Sequence, residues 1–146
     1  MPLLRHNIAA NSLLTTKVSL GAAALDWEDE QLPDVVESNF GSGIDAIVYV
    51  RSPFFLVRLI GVRMADVTYN TASFSALINT LSRLIQFSRS KRNGQSPLIV
   101  MGYKERDAAE RALWDMAQEA GINLELVTEV KGAGGKAIEI WVGRAK

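Results

Sequence analysis

The chain has 146 residues, 48% of them hydrophobic and 22% charged, and sixteen Lys and Arg balance sixteen Asp and Glu to a formal net charge of zero. This size and composition fit one globular domain with a real core and exclude a disordered chain. Charge balance argues against a nucleic-acid coat or a polybasic membrane binder, which need surplus positive charge. The absence of cysteine excludes a disulfide scaffold, a Cys-based zinc site and a thiol nucleophile, and fits a reducing compartment.

The start, Met1-Pro2-Leu3-Leu4-Arg5-His6-Asn7, turns polar too early for a secretory signal. The most apolar stretch, residues 44–62, contains Asp45, Arg51, Pro53 and Arg58, so it does not read as a membrane span. Residues 3–11 read as the end of a helix. Residues 17–25 are a small apolar run of the kind found in strands covered on both faces. Asp26-Trp27-Glu28-Asp29-Glu30 breaks that run, and residues 31–43 form a loop or short helix ending in Gly41-Ser42-Gly43.

Residues 44–48 open a second strand. Phe74, Leu77, Ile78, Leu81, Leu84 and Ile85 follow helical spacing and predict an amphipathic helix, stopped by a polar turn over residues 89–94. Residues 97–103 predict a third strand. Residues 105–120 predict a helix with Ala109, Ala112, Leu113 and Met116 inward and Gly121 as its C-cap. Alternation at Ile122, Leu124 and Leu126, and again at Ile138, Ile140 and Val142, predicts two strands. The glycine-rich residues 131–136 join them into an antiparallel hairpin. The whole reads as an α/β sheet, mostly parallel, with an antiparallel strand at or near its edge.

Three sequence words stand at the expected strand ends: Leu25-Asp26-Trp27, Ala65-Asp66-Val67-Thr68-Tyr69 and Tyr103-Lys104-Glu105-Arg106-Asp107. In this order they resemble the lysine methyltransferase-like group with a D-x-x-Y motif, within the class I seven-β-strand S-adenosylmethionine-dependent methyltransferases. The resemblance implies a partial Rossmann-like fold comprising strands three to seven. It implies S-adenosylmethionine as cofactor, a protein bearing an acceptor lysine as partner, and a cytoplasmic setting, with the nucleus also open. By the same resemblance Trp27 packs on the adenine, Asp26 accepts from its amino group and Ala65 lies beside the cofactor. Asp66 and Tyr69 line the place where donor methyl and amine meet. Apart from the resemblance, Trp27 caps a core, Asp26 opens a turn, Asp66 caps a helix and Tyr69 packs.

Two departures stand out. The glycine-rich loop after a first strand and the acidic end of a second strand are absent, so residues 1–146 read as a single truncated domain, from a truncated product or a misplaced start. The cut would leave a sheet edge open to self-association. Residues 49–63 also interrupt what would be a continuous strand, Ile44 to Val48 joined to Met64-Ala65-Asp66. Val48-Tyr49-Val50 can be encoded with the splice-donor string GTATGT, and Arg63 can supply a terminal AG. A translated intron is one reading of this stretch; a genuine insertion that adds a helix or lengthens the strand is the other.

The remaining candidates divide between chemistry and structure. Tyr103, Lys104 and Arg106 could form an acceptor rim or a solvated helix start. His6 reads as structural or exposed. Arg83, Arg89, Lys91 and Arg92 read as a solvated helix end rather than a nucleic-acid patch, and Trp114 and Trp141 as packing residues. No metal site is expected. The rival to an enzyme is a non-catalytic fragment or interaction module.

Overall fold

The computed structural model describes residues 6, 9, 10, 26, 29, 31–50, 61–64, 71–131 and 137–146, and the side chains of all of these but 49, 50 and 61–64. The chain divides into two compact units, Met1–Gly41 and Ser42–Lys146. In the first, His6, Ala9 and Ala10 have helical backbone, with His6 exposed. Helix α1, Asp34–Asn39, starts after Pro33, whose carbonyl accepts from Val36 N at 2.8 Å. Proline presets the dihedral a helix start needs, and Val36 is the buried residue of this short turn of helix.

The second unit carries the sheet. Its elements are β1 (Ala46–Val50), β2 (Gly61–Met64), a 3-10 turn (Thr71–Ser73), α2 (Phe74–Lys91) and β3 (Leu98–Tyr103). A second 3-10 turn (Ala108–Arg111), α3 (Ala112–Glu119), β4 (Ile122–Lys131) and β5 (Ala137–Ala145) complete it. The five strands among the described residues lie in the order β2-β1-β3-β5-β4. β1 pairs in parallel with both β2 and β3, while β5 runs antiparallel to β3 and to β4. The expected mixed α/β sheet with its antiparallel hairpin is present.

β1 buries three consecutive residues, Ala46, Ile47 and Val48, because strands flank it and both its faces are covered. The helical spacing read from the sequence sets the inner face of α2: Phe74, Leu77, Ile78, Leu84 and Ile85 are buried, and Leu81 is half-buried. Two polar residues, Thr80 and Ser88, complete that face at 0% exposure. The Ser88 hydroxyl accepts from Ile44 N at 3.1 Å and donates to Ile44 O at 2.8 Å, tying the helix to the chain entering β1. Gly43, at φ +89°, lies against the Arg92 side chain where a Cβ would collide.

Around the segment read as an insertion, β1 runs on to Val50, and residues 61–64 form a strand beside it, with Val48 opposite Arg63. The helix expected from 105 begins late, since Asp107 is extended (φ −134°, ψ 138°) and its carboxylate accepts from Ala109 N at 2.9 Å, capping a 3-10 turn instead. That turn rotates Ala109 and Ala112 outward; Leu113 and Ala117 are the buried residues of α3. Leu126 points to solvent at 46% exposure, where alternation had placed it inward. A bulge between Leu126 and Thr128 resets the pairing there. Among the described residues no helix is long and apolar enough to cross a membrane, and no carboxylate or imidazole cluster could hold a metal ion.

Candidate functional site

In open α/β sheets, ligands meet the carboxyl ends of the parallel strands. Here that end carries Val50, Met64 and Tyr103. The register sets their relative height: Tyr49 is opposite Met64 on one side and Met101 on the other, so β3 runs two residues beyond that level to Tyr103. Asp66 and Tyr69 follow β2 in sequence and, with Ala65, lie outside the described residues. Trp27 does too. Asp26 is described and exposed.

Among the described residues the carboxyl end is a closed network. Tyr103 is fully buried, and its hydroxyl donates to Glu110 Oε2 at 3.0 Å. The Arg106 N–H donates to the same carboxylate oxygen at 3.3 Å, so this buried carboxylate is held by two donors. Burial, and then the Glu110 hydrogen bond, raise the Tyr103 phenol well above its ordinary value near 10. A phenol so placed keeps its proton at neutral pH and cannot serve as a base.

Arg111 binds two carboxylates at once. Its Nη1 and Nη2 donate to Glu139 Oε2 and Oε1 at 3.0 and 2.6 Å, and its Nε donates to Glu105 Oε2 at 2.8 Å. Planar guanidinium geometry suits such bidentate pairing. Trp141 Nε1 donates to Glu139 Oε2 at 2.8 Å. The Arg111 bonds, ahead of the opposing effect of burial, hold the Glu139 carboxyl below its ordinary value of 4.5. The guanidinium also stands 5.1 Å from the Tyr103 ring centre and 5.2 Å from that of Trp114. Trp114 meets Tyr103 edge-on at 4.6 Å and Trp141 at 5.3 Å, so both tryptophans pack, as expected.

Of the residues proposed for an acceptor rim, Tyr103 is therefore interior, Lys104 half-buried and Arg106 exposed. Glu110, Arg111 and Glu139, which do most to order this end, were not singled out from the sequence. Glu139 and Trp141 share a strand face at i, i+2, and Tyr103 precedes Glu110 by seven residues across a turn. The first spacing was readable, whereas the second acquires meaning only when the turn closes.

The other end of the sheet holds a second group of basic residues. Arg89 donates to Ser96 Oγ (2.8 Å) and Ala145 O (3.0 Å), and Arg92 to Ile44 O (2.9 Å) and Asp45 (2.8 Å). Arg144 donates to Ser96 O. Arg83 donates to Thr80 Oγ1 and Asn79 O within α2. Arg89 and Arg92 thus pin chain ends rather than form a phosphate-reading surface.

Comparison with known proteins adds one finding. Residues 57–120 match the family model described as lysine methyltransferase, a segment a little under half of the chain that takes in Asp66, Tyr69 and the whole of α2, β3 and α3. No curated protein matches the chain. Such a family points to S-adenosylmethionine as the methyl donor. At the carboxyl end the described side chains of Tyr103, Glu105, Glu110, Arg111 and Glu139 are bonded to one another, and they do not by themselves form a site for that cofactor. Of the residues expected to hold it, Asp26 alone is described.

Proposed function

We propose, from a chain whose residues 57–120 match the lysine methyltransferase family model, that the domain it comes from methylates a protein. The donor is S-adenosylmethionine and the acceptor is a lysine side-chain amine. The family match carries this reading, and the sheet order with its antiparallel fifth strand supports it. Methyl transfer from a sulfonium asks the protein to position the amine, take up or orient its proton and exclude water. Asp66 and Tyr69, inside the matched segment, are proposed for the amine; Asp26, Trp27 and Ala65 are proposed for the cofactor's adenine side.

Residues 1–146 alone are proposed to bind the cofactor negligibly, because the sequence carries neither a glycine-rich loop after a first strand nor an acidic second-strand end. The test is isothermal titration of the chain with S-adenosylmethionine, followed by transfer of labelled methyl to protein by the chain extended with residues encoded upstream. No binding by the chain, and labelled lysine from the extended protein that falls by about a hundredfold in Asp66→Asn or Tyr69→Phe, is the expected result. Micromolar binding by residues 1–146 overturns the first part; label on a group other than lysine overturns the second. Residues 49–63 are proposed to be a translated intron, and transcripts that all retain them would remove that idea.

A non-catalytic module is the second reading. The exposed residues 125–131 of β4, an edge strand among the described residues, favour it, since such an edge can take up a partner strand.

A further inference from the structure

Among the described residues β4 is the last strand of the sheet and pairs with β5 alone. It is ten residues long, and only its start packs under α3; residues 125–131 are all exposed. Three large apolar side chains stand on this exposed part: Leu126 at 46%, Val127 at 63% and Val130 at 39%. A long edge strand with exposed apolar side chains and open backbone donors and acceptors is a template for another strand.

The order of side chains along this edge selects the partner. Read from 125 to 131, the strand is Glu-Leu-Val-Thr-Glu-Val-Lys. Laid antiparallel against itself with Thr128 at the centre, Glu125 faces Lys131 of the second copy and Leu126 faces Val130 of the second copy. Thr128 then faces itself, and Val127 faces Glu129, the one mismatched pair. The opposite-charge pair and the apolar pair each occur twice by two-fold symmetry. The neighbouring registers lose this. Centring on Val127 sets Glu125 against Glu129, and centring on Glu129 sets that carboxylate against itself. The bulge leaves Val127 with no opposite residue on β5 and bends each strand there, which keeps the pairing short.

We infer that β4 is a homodimerisation edge: two copies of this chain join by antiparallel β4–β4 pairing about Thr128, extending the sheet across a two-fold axis. This edge lies across the sheet from β2 and does not depend on the methyltransferase reading.

The test uses the full chain in analytical ultracentrifugation. A concentration-dependent monomer–dimer equilibrium is expected. Glu125→Lys or Lys131→Glu alone should weaken it about tenfold, and the two together should restore it. The chain has no cysteine, so Thr128→Cys can report the axis directly. Opposed residues of an antiparallel pair lie about 4.5–5.5 Å apart at Cα, within disulfide reach. Thr128→Cys should therefore form a covalent dimer under mild oxidation, faster than Val127→Cys or Glu129→Cys. All these positions are exposed, and thermal unfolding of each variant checks that the fold is intact. A monomer at every concentration, association indifferent to the charge swap, or cross-linking no faster at 128 than at its neighbours overturns the proposal.

Discussion

The two ends of the sheet in the second unit are held by different chemistry. At the amino end of the parallel strands, neutral acceptors predominate: Ser88 bonds both backbone groups of Ile44, and Arg89 and Ser96 bond the carbonyl of Ala145. At the carboxyl end the acceptors are carboxylates, Glu110 beneath Tyr103 and Glu139 in the fork of Arg111. The contrast teaches that one end is ordered mainly by neutral acceptors, with the exposed Asp45–Arg92 pair at its margin, and the other by carboxylates. The end where ligands enter α/β sheets is the one whose order depends on ionised side chains.

The largest expected effect breaks the amino end. Gly143 on β5 runs so close to the Asn123 carbonyl of β4 that a Cβ would overlap it. Gly143→Val should force the hairpin apart and cost about 3 kcal/mol in denaturant unfolding. The carboxyl end should yield next: Glu110→Ala strands the buried Tyr103 hydroxyl and should cost about 2–3 kcal/mol, while Glu110→Gln, which can still accept, should cost less.

Ser88→Ala should cost about 2 kcal/mol by orphaning the buried Ile44 N–H, and the comparison sharpens here. That loss should be the same across the pH range, because no titrating group takes part. Glu139 behaves differently. Its folded pKa is depressed, so its contribution is complete above its ordinary 4.5 and is lost as pH falls through the lower folded value. Tyr103 has the opposite sign. Its pKa is raised, so its contribution is complete below about 10 and is lost as pH climbs beyond. Urea titrations at several pH values should show the acid limb flattened in Glu139→Gln and the alkaline limb flattened in Tyr103→Phe. The smallest effect belongs to Asp45→Asn. Its ion pair with Arg92 is 2.8 Å long, but the carboxylate side chain is 53% exposed, and the loss should be about 0.5 kcal/mol.

Much of the architecture was legible in the sequence because apolar spacing reports burial directly. The inner face of α2 was read residue by residue, and the hairpin from two alternating runs across a glycine-rich turn. Gly121 at φ +77° closes α3 as a helix-ending glycine should. Where spacing misled, a local backbone choice intervened at one place: Asp107 captured Ala109 N and made a 3-10 turn, turning Ala109 and Ala112 outward. Leu126 keeps the regular pairing of Ile122 and Leu124 and is exposed because it stands beyond the covered start of β4. The candidate site was legible as words rather than as geometry. Trp27, Ala65, Asp66 and Tyr69 lie outside the described residues, and Tyr103 proved to be an interior residue.

By itself the amino-acid order determined which segments become helix or strand, which faces turn inward and which family residues 57–120 resemble. Those properties follow from periodicity and from short motifs, both local along the chain. Tertiary structure alone decided that residues 61–64 lie beside β1 as a strand of their own, and that Glu110, Arg111 and Glu139 meet at one end. It also left residues 125–131 of β4 exposed. Pairing across a sheet and charge matching across 28 positions, as between Arg111 and Glu139, depend on which strands become neighbours, and no local pattern carries that information.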